Sequence, residues 1–359
     1  MSIRLIGYFF TLFLVQPVWA SQFSATITML NGAAEIFVKP RSKANGPKPV
    51  VKFEGRYYTI RKARIGKKVH SNQVFKTGSQ AKAKITFSNG DSVIIGPGTA
   101  VIMRTLLSKI KGGNKEEGQL LNIFYGKVRA IVSKNGPRNN LKVKTKTAVA
   151  GVRGTDFYVK YNPAIDQTQL SVLRGKVAVN TGEKSSVRAT RLLKKGYTAI
   201  VKNVISSAED IPDELPTKGQ TKGRVDSQKI GAIAGFEKPI QITILSKEKL
   251  TDIQSTSNVT NDKESLDQVP SNEKDEIQKL EKKAIQVILD DIKVEDPEQF
   301  KKMEKLATKT ASVDEINSVV VRDLQDSAPK ETEVRKISED ELLRNIESGE
   351  DVYKKYFSN

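Results

Sequence analysis

The side chains that could carry chemistry are few. Histidine occurs once, at His70, and cysteine not at all. That leaves no thiolate or paired-imidazole metal site and only one possible base for Ser-His-Asp catalysis. In its Lys-rich surroundings His70 reads as a solvated surface residue. The carboxylates of the basic half are Glu35, Glu54, Asp91, Glu116, Glu117, Asp156, Asp166 and Glu183, and none forms a recognisable acid–base pair for glycoside hydrolysis. Gly151-Val152-Arg153-Gly154-Thr155 lacks the spacing and the Lys-Ser/Thr ending of a phosphate loop. The expectation is a non-enzymatic protein with no catalytic residue, no metal and no cofactor.

Charge is the stronger signal. The chain of 359 residues has a net charge of +19, unevenly placed. Residues 21–205 hold 35 Lys and Arg against 8 Asp and Glu, while 206–359 hold 24 against 33. A balance of +27 beside one of −9 implies two modules, the first meeting an anionic partner or neutralised by its own tail. The candidate basic face comprises Arg61, Lys62, Arg64, Lys67, Lys68, Lys142, Lys144, Lys146, Arg188, Arg191, Lys194 and Lys195. Lys142, Lys144 and Lys146 alternate with Val143 and Thr145, which puts three cations on one strand face.

The amino terminus suggests where such a surface would act. Arg4 precedes an apolar run from Leu5 to Val15, too short to span a bilayer comfortably. Pro17-Val18-Trp19-Ala20 then offers a signal-peptidase site, so cleavage after Ala20 is expected, with no transmembrane span afterwards. A periplasmic or secreted location follows, and it argues against nucleic acid as the partner, since no known nucleic-acid fold is signalled either. Envelope polyanions fit the charge better.

These side chains are expected on a mainly β scaffold. From Ala25 to Ile205 short β-branched and aromatic runs alternate with Gly, Asn and Pro. Ala25–Leu30 meets Asn31-Gly32, a strong hairpin signal, with Ala34–Val38 as the return strand. A second hairpin reads Ala83–Phe87, Ser88-Asn89-Gly90-Asp91, Ser92–Ile95, with Ile85 and Phe87 on the buried face of a half-buried sheet. Lys39–Lys52 reads as an exposed loop and Phe53–Ile60 as one strand. Gly126-Lys127-Val128 and Gly175-Lys176-Val177, with Gly32 as a looser copy, hint at recurring turns between stacked strands, solenoid-like or sandwich in form. The domains read as 1–20 signal peptide, 25–205 β domain, 206–271 linker, mostly disordered, and 272–359 short amphipathic acidic helices in a low-order tail. Within the linker, Pro239–Leu245 could add a strand, and Ser246–Ser271 reads as disordered. Asp296-Pro297-Glu298-Gln299 and Ser338-Glu339-Asp340-Glu341 are helix starts.

The most specific stretch is Thr147–Val159: a strand of small residues, a turn at Gly154 and a second strand opening at Phe157. Arg153, Gly154, Thr155 and Asp156 form its corner, a candidate binding or structural site. Arg153 could pair with Asp156 across the turn or bind an anion beside the glycine amides.

This stretch, with the downstream Leu173-Arg174-Gly175-Lys176-Val177 and the closing Leu193–Val201, resembles the core signature of the FecR domain. The upstream Thr77-Gly78-Ser79-Gln80-Ala81 is similar to an extended form, so the likeness runs from about Thr26 to Lys202. Founding members join a cytoplasmic segment that controls a sigma factor to a periplasmic sensor half. Neither that segment nor an internal span is expected of this sequence. The resemblance therefore implies an extracytoplasmic module for protein contact and signal sensing, contacting an envelope protein or an anionic glycan. The alternative it implies is a FecR-type regulator of a sigma factor.

Overall fold

A computed structural model describes residues 24–46, 49–109, 115–134, 141–152, 154–182, 189–203, 239–261, 266–307, 313–344 and 346–357. Two β-sheets share one long strand. The first sheet is antiparallel throughout, in the order Lys68–His70, Ser24–Asn31, Lys82–Phe87, Ser92–Ile95, the end of Lys115–Ile131, Asp156–Asn162, Gln167–Arg174, Tyr197–Lys202 and Ile240–Ile244. The second runs Val50–Phe53, Arg56–Lys62, Ala34–Arg41, Val74–Thr77, Ala100–Lys109, the start of Lys115–Ile131, Leu141–Lys144, Ala148–Val152, Lys176–Thr181, Thr190–Lys194 and Glu347–Ser348. Only the pairing of Lys115–Ile131 with Leu141–Lys144 is parallel among these. One apolar core draws on both sheets, with Ile27, Ile85, Val128, Phe157 and Val172 from the first and Ile36, Phe75, Val143 and Val177 from the second.

The recurring glycines mark the places where the chain passes between sheets. Gly32, Gly126 and Gly175 have φ of 77°, 100° and 75°, and at each the backbone changes sheet. This corrects the first hairpin. Ser24–Asn31 and Ala34–Arg41 do not pair, because Asn31-Gly32 carries the chain from one sheet to the other, where each strand finds different neighbours. The second hairpin forms as read, with Ile85 opposite Val93. Phe53–Ile60 is two strands rather than one, since Glu54 and Gly55, with φ of 46° and 73°, fold it into a tight turn.

The outer face of the first sheet is not solvated. Helices α1 (Lys247–Ser257), α2 (Ser271–Glu295), α3 (Pro297–Ala307) and α4 (Val313–Ser327) follow the last long strand. Leu250 and Ile253 of α1, Ile288 and Ile292 of α2, Met303 of α3 and Ile316, Val320 and Val321 of α4 form a second apolar cluster with Ile94, Ile131, Tyr158 and Leu173 of the sheet. Few large apolar residues suffice because the helices bury them against the sheet and not only against one another. Helix α1 lies within Ser246–Ser271, a stretch whose polar composition reads as structureless. Ser246 caps it by accepting from the Lys249 amide. The shorter α5 (Glu331–Val334), α6 (Glu339–Leu343) and α7 (Glu350–Phe357) complete the chain, and α7 packs against Lys176–Thr181 and Thr190–Lys194.

Candidate functional site at the glycine corner

At the corner the chain leaves the second sheet at Val152, turns at Gly154 and enters the first at Asp156. Gly154 has φ of 63°, and a Cβ there would lie 2.4 Å from Lys134 Cβ. A Cβ on Gly175 would lie 2.5 Å from the Gly154 carbonyl oxygen. The two crossings are stacked so closely that neither position has room for a side chain. The amide of Val132 ties the corner down by donating to the Thr155 carbonyl at 2.8 Å.

Arg153 lies outside the described residues, and the described partner of Asp156 is Arg129. The Arg129 Nε donates to Oδ1 at 2.8 Å and Nη2 to Oδ2 at 2.6 Å. Both side chains are buried, at 0% and 2% exposure. Alternation carries the signal for this: Val128 and Ala130 face the core, so Arg129 faces the other way, onto the helix-covered side.

A second buried arginine stands opposite Asp156 in register, at Arg174. Its Nη1 donates to Asp291 Oδ2 at 3.4 Å and to Glu295 Oε2 at 3.3 Å, both on α2. The Lys134 amide also donates to Asp291, at 3.0 Å. Burial raises the Asp291 carboxyl above its ordinary value, against the opposing pull of Arg174 and the Lys134 amide.

Beside this corner opens a cleft of ≈ 710 Å³, lined by Gly154 and Gly175 among others. Lys134, Lys176, Lys194, Lys195 and Lys355 stand around it, with Glu295 and Asp296 at the end of α2 and Tyr356 on α7. Lys134 meets Glu295 at 3.7 Å, Lys195 meets Asp296 at 3.5 Å and Lys194 meets Glu347 at 3.5 Å.

The candidate basic face is divided by the fold. Arg61, Arg64, Lys67 and Lys68 surround a smaller cleft of ≈ 400 Å³ with His70, where Arg64 pairs with Glu273 and Lys68 with Glu276 of α2. Lys62 is exposed at the end of its strand. Lys142 and Lys144 are half-buried on the strand Leu141–Lys144, and Lys146 pairs with Asp166 at 3.0 Å. Arg191 is half-buried and donates to the Thr190 carbonyl. Lys194 and Lys195 belong to the corner cleft, and Arg188 lies outside the described residues. The eleven described positions are therefore spread over more than one surface.

The charge split left open that the tail neutralises the basic half, but not which acidic side chains clasp the first sheet. Lys84, with no exposed side-chain area, donates to Glu281 of α2 at 2.5 Å, and Thr86 donates to the same carboxylate. Asp252 of α1 receives Lys127 at 2.6 Å and the Tyr158 hydroxyl at 3.1 Å. Burial raises the Asp252 carboxyl, yet Lys127, Lys160 and Tyr158 together hold it below the ordinary aspartate value. Among the described residues no group of His, Asp and Glu is placed to hold a metal ion, and no helix is long and apolar enough to cross a membrane.

The architecture is that of a mainly β domain with helices laid over one sheet. Residues 73–178 match the family described as FecR protein, and the chain carries a FecR domain there. The matched segment contains the corner, both buried arginines and Gly175. No curated protein matches the chain. Two crystal structures described as a candidate anti-sigma factor from Parabacteroides distasonis, at 1.65 and 2.50 Å resolution, are each 22% identical over 37% of this chain, with a TM-score of 0.29. The aligned part spans 57% and 56% of those chains, and at that score the likeness supports no inference about fold or function.

Proposed function

We propose that the protein is a non-catalytic, extracytoplasmic binding and signalling module that contacts an envelope protein or an anionic glycan. The observation that carries this reading is the pairing of charges in and around the FecR domain. The acidic helices neutralise the cations of the first sheet through Glu281, Asp252 and Asp291, while lysines remain gathered around the corner cleft. Three of those lysines already meet acids, and Lys176 and Lys355 add exposed positive charge beside them, which suits a partner of opposite charge. The apolar run and the Pro17–Ala20 site at the amino terminus support export.

The test has two arms. An alkaline-phosphatase fusion joined to the end of the full chain is expected to be active outside the cytoplasm, and the purified chain is expected to bind an envelope fraction at physiological salt and to release as salt rises. An inactive fusion, or no binding, overturns the reading. Co-purification with a sigma factor from the cytoplasm would favour the FecR-type sigma-factor regulator instead.

A further inference from the structure

We infer that the corner cleft is an acidic-glycan site, read by Lys176 and Lys355 together with the ring of Tyr356; the inference rests on the binding reading above and names its ligand class. Three observations carry it. First, cations outnumber acids around the cleft, and Lys176 and Lys355 have no acidic partner among the described residues. Both are exposed. Second, the cleft already holds a carboxylate in the required place. Glu295 sits between Arg174 at 3.3 Å and Lys134 at 3.7 Å, so the chain itself shows which anion this geometry accepts. Third, the wall is not purely polar. Val294 is 70% exposed and lines the cleft with the half-buried Tyr356, whose ring lies under Lys355 Nζ at 5.8 Å.

That third feature separates a glycan from a bare anion. An inorganic phosphate gains nothing from exposed valine and tyrosine surface, whereas a sugar ring offers C–H faces to pack on it while its carboxylate or phosphate groups meet the lysines. A cleft of ≈ 710 Å³ also exceeds what one small ion fills. The smaller cleft near His70 lacks this combination, since Glu273 and Glu276 occupy two of its four cations.

The experiment uses the full mature chain and measures binding of oligogalacturonate, a phosphodiester-linked glycan polymer, neutral dextran and inorganic polyphosphate, alongside retention on the envelope fraction. The expected result is binding of at least one acidic glycan, none of dextran, and a loss of about tenfold or more in Lys176→Gln/Lys355→Gln at unchanged melting temperature. Tyr356→Ala is expected to weaken the glycan and leave polyphosphate unaffected. Arg61→Gln/Lys67→Gln, in the other cleft, is expected to bind as the parent does. The inference is overturned if neither acidic glycan binds, if the cleft variant binds as the parent does, or if Tyr356→Ala weakens polyphosphate equally. Envelope retention that survives in the cleft variant overturns this site and leaves the broader reading standing; loss of retention by the parent chain overturns both.

Discussion

Arg129 and Asp156 are joined by two parallel hydrogen bonds, at 2.8 and 2.6 Å, across adjacent strands of the first sheet. They sit diagonally, since Arg129 lies opposite Tyr158 and Asp156 opposite Ile131, so both project toward the helix layer. The pair fixes the strand that leaves the FecR corner. Removing one partner strands a buried charge, and Arg129→Met or Asp156→Leu is expected to cost about 3–5 kcal/mol. The double variant is expected to cost well under the sum, as urea unfolding of all four proteins would reveal. Additive losses would mean that the two side chains act independently.

Glycine at the corner gives a sharper contrast. Gly154 and Gly196 both have positive φ, but a Cβ at Gly154 meets Lys134, while one at Gly196 meets nothing within 4 Å. Gly196→Ala is expected to lose about 1–2 kcal/mol, the conformational cost alone. Gly154→Ala is expected to lose more than about 4 kcal/mol or to fail to fold. Thermal melts of the two variants compare them directly.

The clasp between α2 and the first sheet depends on Lys84 and Glu281. Glu281→Gln leaves the Lys84 ammonium, fully buried, without its counter-charge, and a loss of about 3 kcal/mol is expected. Adding Lys84→Met to that variant is expected to recover most of it, because the methylene stem keeps its packing and the charge is gone. Denaturant midpoints check the order.

Acid should weaken the hold of α1 on the first sheet. The Asp252 carboxyl is held below its ordinary value, so the ionised form binds the folded state more tightly than the unfolded one. Its contribution is complete above about pH 4, the range of a free aspartate, and is lost as pH falls through the depressed folded value. Asp291 has the opposite sign: its raised carboxyl favours the folded state when protonated, so its contribution declines as pH rises above that range. Asp252→Asn is expected to flatten the acid limb of the stability–pH curve below about pH 4 and to leave the Asp291 limb in place.

A chain ending at Leu245 would expose Ile94, Ile131, Tyr158 and Leu173, which the helices cover. Strong binding of a hydrophobic dye and poor solubility are expected of it, and a soluble, dye-silent fragment would show that the helices are dispensable to the sheet.

The mainly β class, the second hairpin and the glycine corner were legible in the sequence because each depends on local pattern: alternation, an Asn-Gly turn, small residues before Gly154. Gly32 shows the limit of that legibility. Its turn chemistry is local, but whether the strands on either side pair is decided by neighbours that arrive from elsewhere in the chain, His70 and Phe87 on one side and Thr77 and Lys62 on the other. The charge asymmetry between the halves was equally plain, and its resolution was not. Glu281 reaches Lys84 across 197 residues and Asp291 reaches Arg174 across 117, and no spacing rule links positions so far apart. Composition determined that the two halves carry opposite charge. The tertiary structure decided which cations are buried against which acids, and left Lys176 and Lys355 at the mouth of the corner cleft, because burial of a charge is tolerated only where folding delivers its partner.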